Sequence, residues 1–144
     1  MNHCQTGINR YTYTNFDLSY NITPCHVYYP ETIYDIVKIV KTHPKSKMRT
    51  SGSHHTFNDM SGSPDILIRT DKLKKILNVN QREKTVMVEA GYIIYDLAVF
   101  LAKQYQLTLH VIPAVAPQSV VGALSTGTHG SCAEKEVCPQ QFYQ

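Results

Sequence analysis

The spacing of apolar residues along the chain predicts two amphipathic helices and one short helix. In residues 33–40, apolar side chains recur at i, i+3, i+4 and i+7, and Pro44 ends the pattern. Residues 94–101 repeat the same spacing, which places their apolar side chains on one helix face. Residues 119–124 are expected to form a third, shorter helix that leads into a loop rich in glycine and hydroxyl side chains.

Short apolar runs of strand length lie between these helices. Residues 85–89 alternate apolar and polar side chains, and we expect them to pair with residues 76–79 as a hairpin. Residues 1–23 are polar and rich in Tyr and Asn, so a loosely structured lead-in is expected there. The alternation of helices and strands predicts an α+β or α/β domain. Further strands are expected at Val27–Tyr29, Met48–Thr50, Asp65–Arg69 and Thr108–Ile112.

Composition and charge place the chain among globular proteins. Its 144 residues are enough for one domain with a modest core, and 42% of them are hydrophobic against 17% charged. The net charge of +3 is small, and the densest basic cluster, Lys72–Lys75, is typical of a solvated face. We therefore expect no nucleic-acid partner.

The cysteines give no sign of a zinc site or a disulfide framework. Cys4, Cys25, Cys132 and Cys138 lack the CxxC spacing, so we expect free thiols. The first residues lack the apolar segment of a secretory signal, and no apolar run approaches the roughly 20 residues of a membrane span. A cytoplasmic location is expected.

Two loops concentrate residues that suit a large anionic ligand. Residues 52–59 read Gly-Ser-His-His-Thr-Phe-Asn-Asp, and residues 126–131 read Thr-Gly-Thr-His-Gly-Ser. Side chains this small let backbone N–H groups approach a phosphate, and the hydroxyls add donors. Neither loop matches the P-loop, and the chain has no GxGxxG motif, which argues against nucleoside triphosphates and Rossmann-type dinucleotides. The two loops together suggest one phosphate-bearing cofactor that spans both.

The residues by themselves leave simpler interpretations open. His54 and His55 are adjacent, so on an extended segment only one of them can face a given ligand, and both could be ordinary loop residues. A metal site needs three or four converging ligands, and no spacing brings other histidines to this pair. The second loop could be a plain tight turn in which Gly127 and Gly130 supply positive φ.

Read in chain order, the motifs resemble the N-terminal FAD-binding domain of the vanillyl-alcohol-oxidase type (PCMH type) of flavoenzymes. Within that group they look most like the sugar oxidases, namely alditol oxidase, L-gulonolactone oxidase and D-arabinono-1,4-lactone oxidase. The likeness runs from about Pro24 to Ser131. It rests on Tyr29–Thr32, Gly52–Asp59, Val88–Gly91, Ser119–Gly122 and Thr126–Ser131.

The resemblance implies FAD as the cofactor and assigns roles to single residues. His55 occupies the position where many members bond covalently to the 8α-methyl group of the flavin, and a neutral imidazole is a competent nucleophile. His54 is the rival if the register slips by one, but the Thr-Phe-Asn-Asp that follows favours His55. The cofactor-binding residues that the resemblance implies are Gly52, Ser53, His54, His55, Thr56, Ser119, Gly122, Thr126, Gly127, Thr128, His129 and Gly130.

The resemblance also implies an activity and a domain plan. Members oxidise CH–OH groups of sugar alcohols or aldonolactones by hydride transfer to the flavin, with O₂ or another acceptor reoxidising it. They continue with further strands and a substrate domain, whereas this sequence has only an irregular tail, residues 132–144. Residues 24–131 are therefore expected to be a partial FAD-binding domain without catalytic residues.

Two functions follow from this plan. The chain is expected to be the FAD-binding part of such an oxidoreductase, and the alternative is a truncated FAD-binding module with no activity of its own. A sugar alcohol or aldonolactone would be a partner only if a complementing polypeptide supplied the substrate domain. No metal is expected.

Overall fold

The structure is a computed structural model that describes residues 11–131. The chain divides into two compact units, the first ending at Leu73 and the second beginning at Lys74. Each unit combines strands with helices, which confirms the predicted α+β class. In the part of the chain that the structure describes, no helix is both long and apolar enough to cross a membrane.

A small antiparallel hairpin opens the first unit. Strand β1 (Tyr13–Thr14) pairs with strand β2 (Asn21–Ile22). Tyr13 and the nearby Asn15 are both buried. The expectation of a loosely structured lead-in is therefore wrong for this stretch, because two buried side chains fix a segment that is otherwise polar.

Three parallel strands form the main sheet of the first unit. Strand β3 (His26–Tyr28) and strand β4 (Met48–Ser51) flank the central strand β5 (Ile66–Arg69). The three apolar residues of β5 are all buried, as expected for a strand that is covered on both faces, and Leu67 is 0% exposed. All three strands were predicted to within one residue at each end.

Helix α1 (Ile33–Thr42) packs on this sheet. It begins with a capping box, in which the hydroxyl of Thr32 accepts a hydrogen bond from the N–H of Asp35, and the Asp35 carboxylate accepts one from the N–H of Thr32 at 2.9 Å. Ile39 is buried in a cluster with the isoleucines of β5. The predicted helix is confirmed, and it ends ahead of the proline that was expected to stop it.

The second unit contains an antiparallel hairpin and a longer helix. Strand β6 (Ile76–Asn80) pairs with strand β7 (Thr85–Val88), and helix α2 (Ile94–Tyr105) follows. The helix buries one face, as its sequence spacing predicted. The buried residues on that face are Ile94, Leu97 and Leu101.

Helix α3 (Val120–Ser125) is short and is joined to the segment that precedes α2. Ile93 and Ser119 form an isolated antiparallel bridge, and the N–H of Val120 donates to the carbonyl of Tyr92 at 2.7 Å. The helix predicted at residues 119–124 is confirmed with a shift of one residue.

Residues 108–112 do not form the strand that was expected there. Among the described residues, no strand pairs with them. Val111 is nevertheless buried, and so is the following Pro113. The segment is irregular although part of it is buried, so burial of apolar side chains alone did not indicate a strand.

Cys25 is disulfide-bonded, so the expectation of free thiols is wrong for this residue. The other three cysteines lie outside the described residues. The missing CxxC spacing was a poor guide, because a disulfide can join residues that are far apart in sequence.

Candidate cofactor site

The first glycine- and histidine-rich loop, residues 52–59, begins where two parallel strands end. Ser51 and Arg69 are paired as the last residues of β4 and β5. The loop therefore leaves the sheet at its carboxyl edge, the side on which parallel sheets bind ligands. Within residues 11–131, the backbone N–H groups of residues 53–56 donate no hydrogen bond. A run of consecutive free N–H groups is the donor set that a phosphate group requires.

His54 has a left-handed backbone conformation and is held by the β1 segment. Its φ is +66°, which few residues other than glycine adopt, although His does so more readily than most. Its Nδ1 lies 3.0 Å from the carbonyl oxygen of Thr14, and its ring centroid lies 4.4 Å from that of Tyr13. The N–H of Phe16 donates to the carbonyl of His54 at 2.9 Å. The extended geometry assumed for the histidine pair is therefore wrong at this residue.

The surroundings of His54 keep its imidazole neutral. Burial lowers its pKa, because the charged ring would lose hydration, and the charge of Arg69 lowers it further, while the hydrogen bond to Thr14 opposes both. Since a carbonyl oxygen only accepts, Nδ1 carries the proton and Nε2 is left as an acceptor. That Nε2 is buried and has no hydrogen-bond partner in the described part of the chain.

His55 lies against an aromatic pair. Its ring centroid is 5.2 Å from that of Phe16, which in turn meets Phe57 edge-on at 4.9 Å. The Nδ1 of His55 is buried and finds no hydrogen-bond partner among residues 11–131. The side chain of Asn15 donates to the carbonyl of Thr56 at 3.0 Å, which fixes the chain directly after His55. The loop thus carries two adjacent imidazoles, each with an unpaired buried nitrogen.

The hydroxyl of Thr56 is already used within the first loop. It donates to the side-chain oxygen of Asn58 at 3.0 Å. That oxygen also accepts from the N–H of Met60 and so caps a single turn of 3-10 helix at Asp59–Ser61. What Thr56 can offer a ligand is therefore its backbone N–H.

The residues that hold the first loop were not predicted from the sequence. Tyr13–Phe16 fall within the polar lead-in, and the signal that could have found them is two aromatic residues close together ahead of the first predicted strand. The hydrogen-bonded group of Tyr11, Arg69 and Asp71 was not predicted either. Arg69, whose side chain is 11% exposed, donates to the hydroxyl of Tyr11 at 2.5 Å and to the carboxylate of Asp71 at 2.8 Å. Burial raises the pKa of the Tyr11 hydroxyl.

The second unit carries the other predicted site residues, around helix α3. Ser119 is 3% exposed, and its hydroxyl accepts from the N–H of Gly122 at 3.3 Å as the N-cap of α3. The hydroxyl of Thr126 donates to the carbonyl of Gly122 at 3.1 Å and lies 3.0 Å from that of Thr128. These hydroxyls fix the end of the helix and the start of the second loop.

The two glycines of the second loop are needed for different reasons. Gly127 has a φ of +63°, which confirms the interpretation that it supplies positive φ in a tight turn. Gly130 is not among the described residues with positive φ, so the same expectation is wrong there. A Cβ at Gly130 would lie 2.3 Å from the carbonyl oxygen of Ile112 and 2.7 Å from a methyl carbon of Val111. Close backbone approach is what requires glycine at this position.

The donor set of the first loop fits an anionic cofactor. The first loop offers consecutive free N–H groups and unpaired nitrogens on His54 and His55. In the second loop, Nδ1 of the exposed His129 lies 3.1 Å from the carbonyl oxygen of its neighbour Gly130. Among the described residues, no group of three or more His, Cys, Asp and Glu side chains could hold a metal ion.

Comparison with known proteins names the cofactor. The family model described as "FAD binding domain" matches residues 24–141. The D-arabinono-1,4-lactone oxidase of Kluyveromyces lactis is 30% identical over 140 residues, which cover 93% of this chain and 26% of that protein. The L-gulonolactone oxidase of Scyliorhinus torazame is 28% identical over 138 residues, covering 94% of this chain and 31% of that protein.

A solved structure agrees on the fold. Cholesterol oxidase from B. sterolicum superposes with a TM-score of 0.66 at 21% identity, over 85% of this chain and 24% of that chain. The chain thus spans less than a third of each of these proteins. Because the family model covers most of its residues, the chain belongs to the FAD-binding domain family, of PCMH type.

Proposed function

We propose that the oxidoreductase to which this FAD-binding part belongs oxidises CH–OH groups of aldonolactones or sugar alcohols. The relatives named D-arabinono-1,4-lactone oxidase and L-gulonolactone oxidase support this substrate class. FAD supplies the chemistry by accepting a hydride from the carbon that bears the hydroxyl group. In this chain, the observation that carries the cofactor role is the first loop, with its free N–H groups and unpaired imidazole nitrogens.

In this proposal the first loop binds the diphosphate of FAD. The backbone N–H groups of residues 53–56 are free to donate, and the half-buried Gly52 and Ser53 have no bulk that would keep the anion away. The hydroxyl of Thr56 contributes nothing directly, because it is bonded to Asn58. The residues proposed to pack against the remainder of FAD are Ser119, Gly122, Thr126, Gly127, Thr128, His129 and Gly130.

His55 is the proposed point of covalent attachment. An imidazole nitrogen of His55 would form a bond to the 8α-methyl carbon of the flavin. One proton leaves that carbon and one leaves the imidazole, while the electron pair passes to the flavin ring and from there to dioxygen. The unpaired nitrogen of His55 supports this role. His54 is the weaker candidate, because its Nδ1 is engaged by the carbonyl of Thr14.

The alternative function is an FAD-binding module without activity of its own. The chain matches 26% of the Kluyveromyces lactis relative, and the activity that the name of this relative states belongs to that whole protein. Under the main proposal, a complementing polypeptide or segment must bring the residues that bind the lactone. The two proposals differ in what happens to bound flavin when substrate is added.

A chimera tests the proposed activity. This chain would replace the matching N-terminal part of the Kluyveromyces lactis oxidase, and the oxidase lacking that part would serve as the control. We expect the chimera to retain FAD and its flavin colour to bleach when D-arabinono-1,4-lactone is added without oxygen. A chimera that retains FAD but is bleached by no aldonolactone or sugar alcohol would refute the proposed substrate class and favour the inactive module.

A further inference from the structure

The first loop changes direction at a residue whose conformation is unfavourable by itself. A left-handed φ is unfavourable for a residue other than glycine. His54 adopts φ +66° immediately before His55. Such a conformation persists where the surroundings impose it. In an extended chain the two imidazoles would point to opposite sides, so the turn at His54 decides where the ring of His55 points.

The contacts that impose this conformation come from one short segment. The Nδ1–H of His54 donates to the Thr14 carbonyl at 3.0 Å, its ring lies on Tyr13, and its carbonyl accepts from the N–H of Phe16 at 2.9 Å. Tyr13 is itself fully buried, and its hydroxyl is hydrogen-bonded to Ser61. The backbone and the ring of His54 are therefore both held by the segment Tyr13–Phe16.

We propose that His54 is a positioning residue whose side chain, anchored on Thr14 and Tyr13, holds the left-handed turn that presents His55 to the flavin. This inference rests on the proposed attachment at His55. It assigns different tasks to the two adjacent histidines. His54 is committed to the protein through Nδ1, whereas His55 has only ring contacts and an unpaired nitrogen in the described part of the chain.

Three variants of His54 separate the effect of its left-handed backbone from the effect of its side-chain contacts. His54→Gly tolerates positive φ but removes the ring. His54→Asn tolerates positive φ and keeps a hydrogen-bonding side chain. His54→Ala neither tolerates positive φ well nor keeps a hydrogen-bonding side chain. Thr32→Ala is the matched control, since it destabilises the same unit at the cap of α1, away from the loop. Each protein, as the full chain, is incubated with FAD.

The experiment measures two quantities separately, the reversible affinity for FAD and the rate at which acid-stable flavin forms. A 1 Å misplacement of a reacting group lowers rates by about 100-fold. We therefore expect His54→Gly and His54→Ala to slow formation of acid-stable flavin by about 10- to 100-fold. Reversible FAD affinity is measured separately for each variant, His54→Asn should retain part of the attachment rate, and Thr32→Ala should attach flavin as the wild type does. An unchanged attachment rate in His54→Gly would overturn the inference.

A second measurement needs no flavin. Imidazole nitrogen NMR of the cofactor-free full chain should show His54 protonated at Nδ1, and His54→Gly should shift or broaden the ring resonances of His55. If the wild type forms no acid-stable flavin, the proposed attachment at His55 is wrong. The NMR measurement then still tests whether His54 positions the ring of His55. Resonances of His55 that are identical in the wild type and His54→Gly would overturn it.

Discussion

Replacement of Gly130 by Ala tests the reason given for glycine at that position. The added Cβ would lie 2.3 Å from the Ile112 carbonyl oxygen, whereas carbon contacts are favourable at about 3.5 Å or more. The second loop would have to move by roughly 1 Å, and because the obstacle is backbone, no side chain can simply rotate away. Overpacking of this kind costs about 1–3 kcal/mol.

Gly127→Ala is the matched control in the same loop. No atom lies within 4 Å of its added Cβ, but φ is +63°, so its cost is conformational strain of about 1 kcal/mol. Urea unfolding would be followed by tyrosine fluorescence, since the chain has ten tyrosines and no tryptophan. We expect Gly130→Ala to lose more stability than Gly127→Ala and to weaken FAD binding. Gly130→Ala with the stability and FAD affinity of the wild type would refute the steric argument.

Three further predictions concern the first unit. Leu67→Ala empties a fully buried site and should lower the free energy of unfolding by about 2–5 kcal/mol, measured by urea unfolding. Thr32→Ala removes the cap of α1 and should cost about 1 kcal/mol in the same assay. Because the fold lowers the pKa of His54, its contribution to stability should be complete above about pH 6.5 and be lost as the pH falls toward the folded value, as unfolding midpoints at a series of pH values would show.

Each of these predictions has a clear contrary result. Leu67→Ala with a loss below about 1 kcal/mol would mean that β5 is not the core strand. Thr32→Ala that unfolds with the wild type would mean that the capping box does not stabilise α1. His54→Asn should flatten the pH dependence below 6.5, and a variant with the same slope as the wild type would place the responsible group elsewhere.

The regular elements could be predicted from the sequence because their patterns are periodic. Helices α1 and α2 follow a period of 3.6 residues, and β5 is an uninterrupted apolar run bounded by polar residues. The strand predicted at residues 108–112 is not found among the described strands, because a short apolar run can be buried in an irregular segment. The hairpin of β1 and β2 was missed because strands of two residues carry no period.

The candidate site was predictable in composition but not in geometry. The motifs located both loops, yet nothing in His54 itself indicates a left-handed backbone, since that conformation comes from contacts with Tyr13 and Thr14. Glycine at residues 127 and 130 looks alike in sequence, although one glycine serves a positive φ and the other a close backbone contact. Both features depend on segments that lie far away in sequence.

The most direct test of the account is to locate flavin on the chain. The purified full chain is incubated with FAD, precipitated with acid, digested, and searched by mass spectrometry for a peptide that carries flavin. We predict yellow protein whose flavin stays with the precipitate, maps to His55 and disappears in His55→Ala. A chain that takes up no FAD would contradict its role as the FAD-binding part of an oxidoreductase. Flavin that binds but is released by acid, or that maps to another residue, would contradict the attachment at His55.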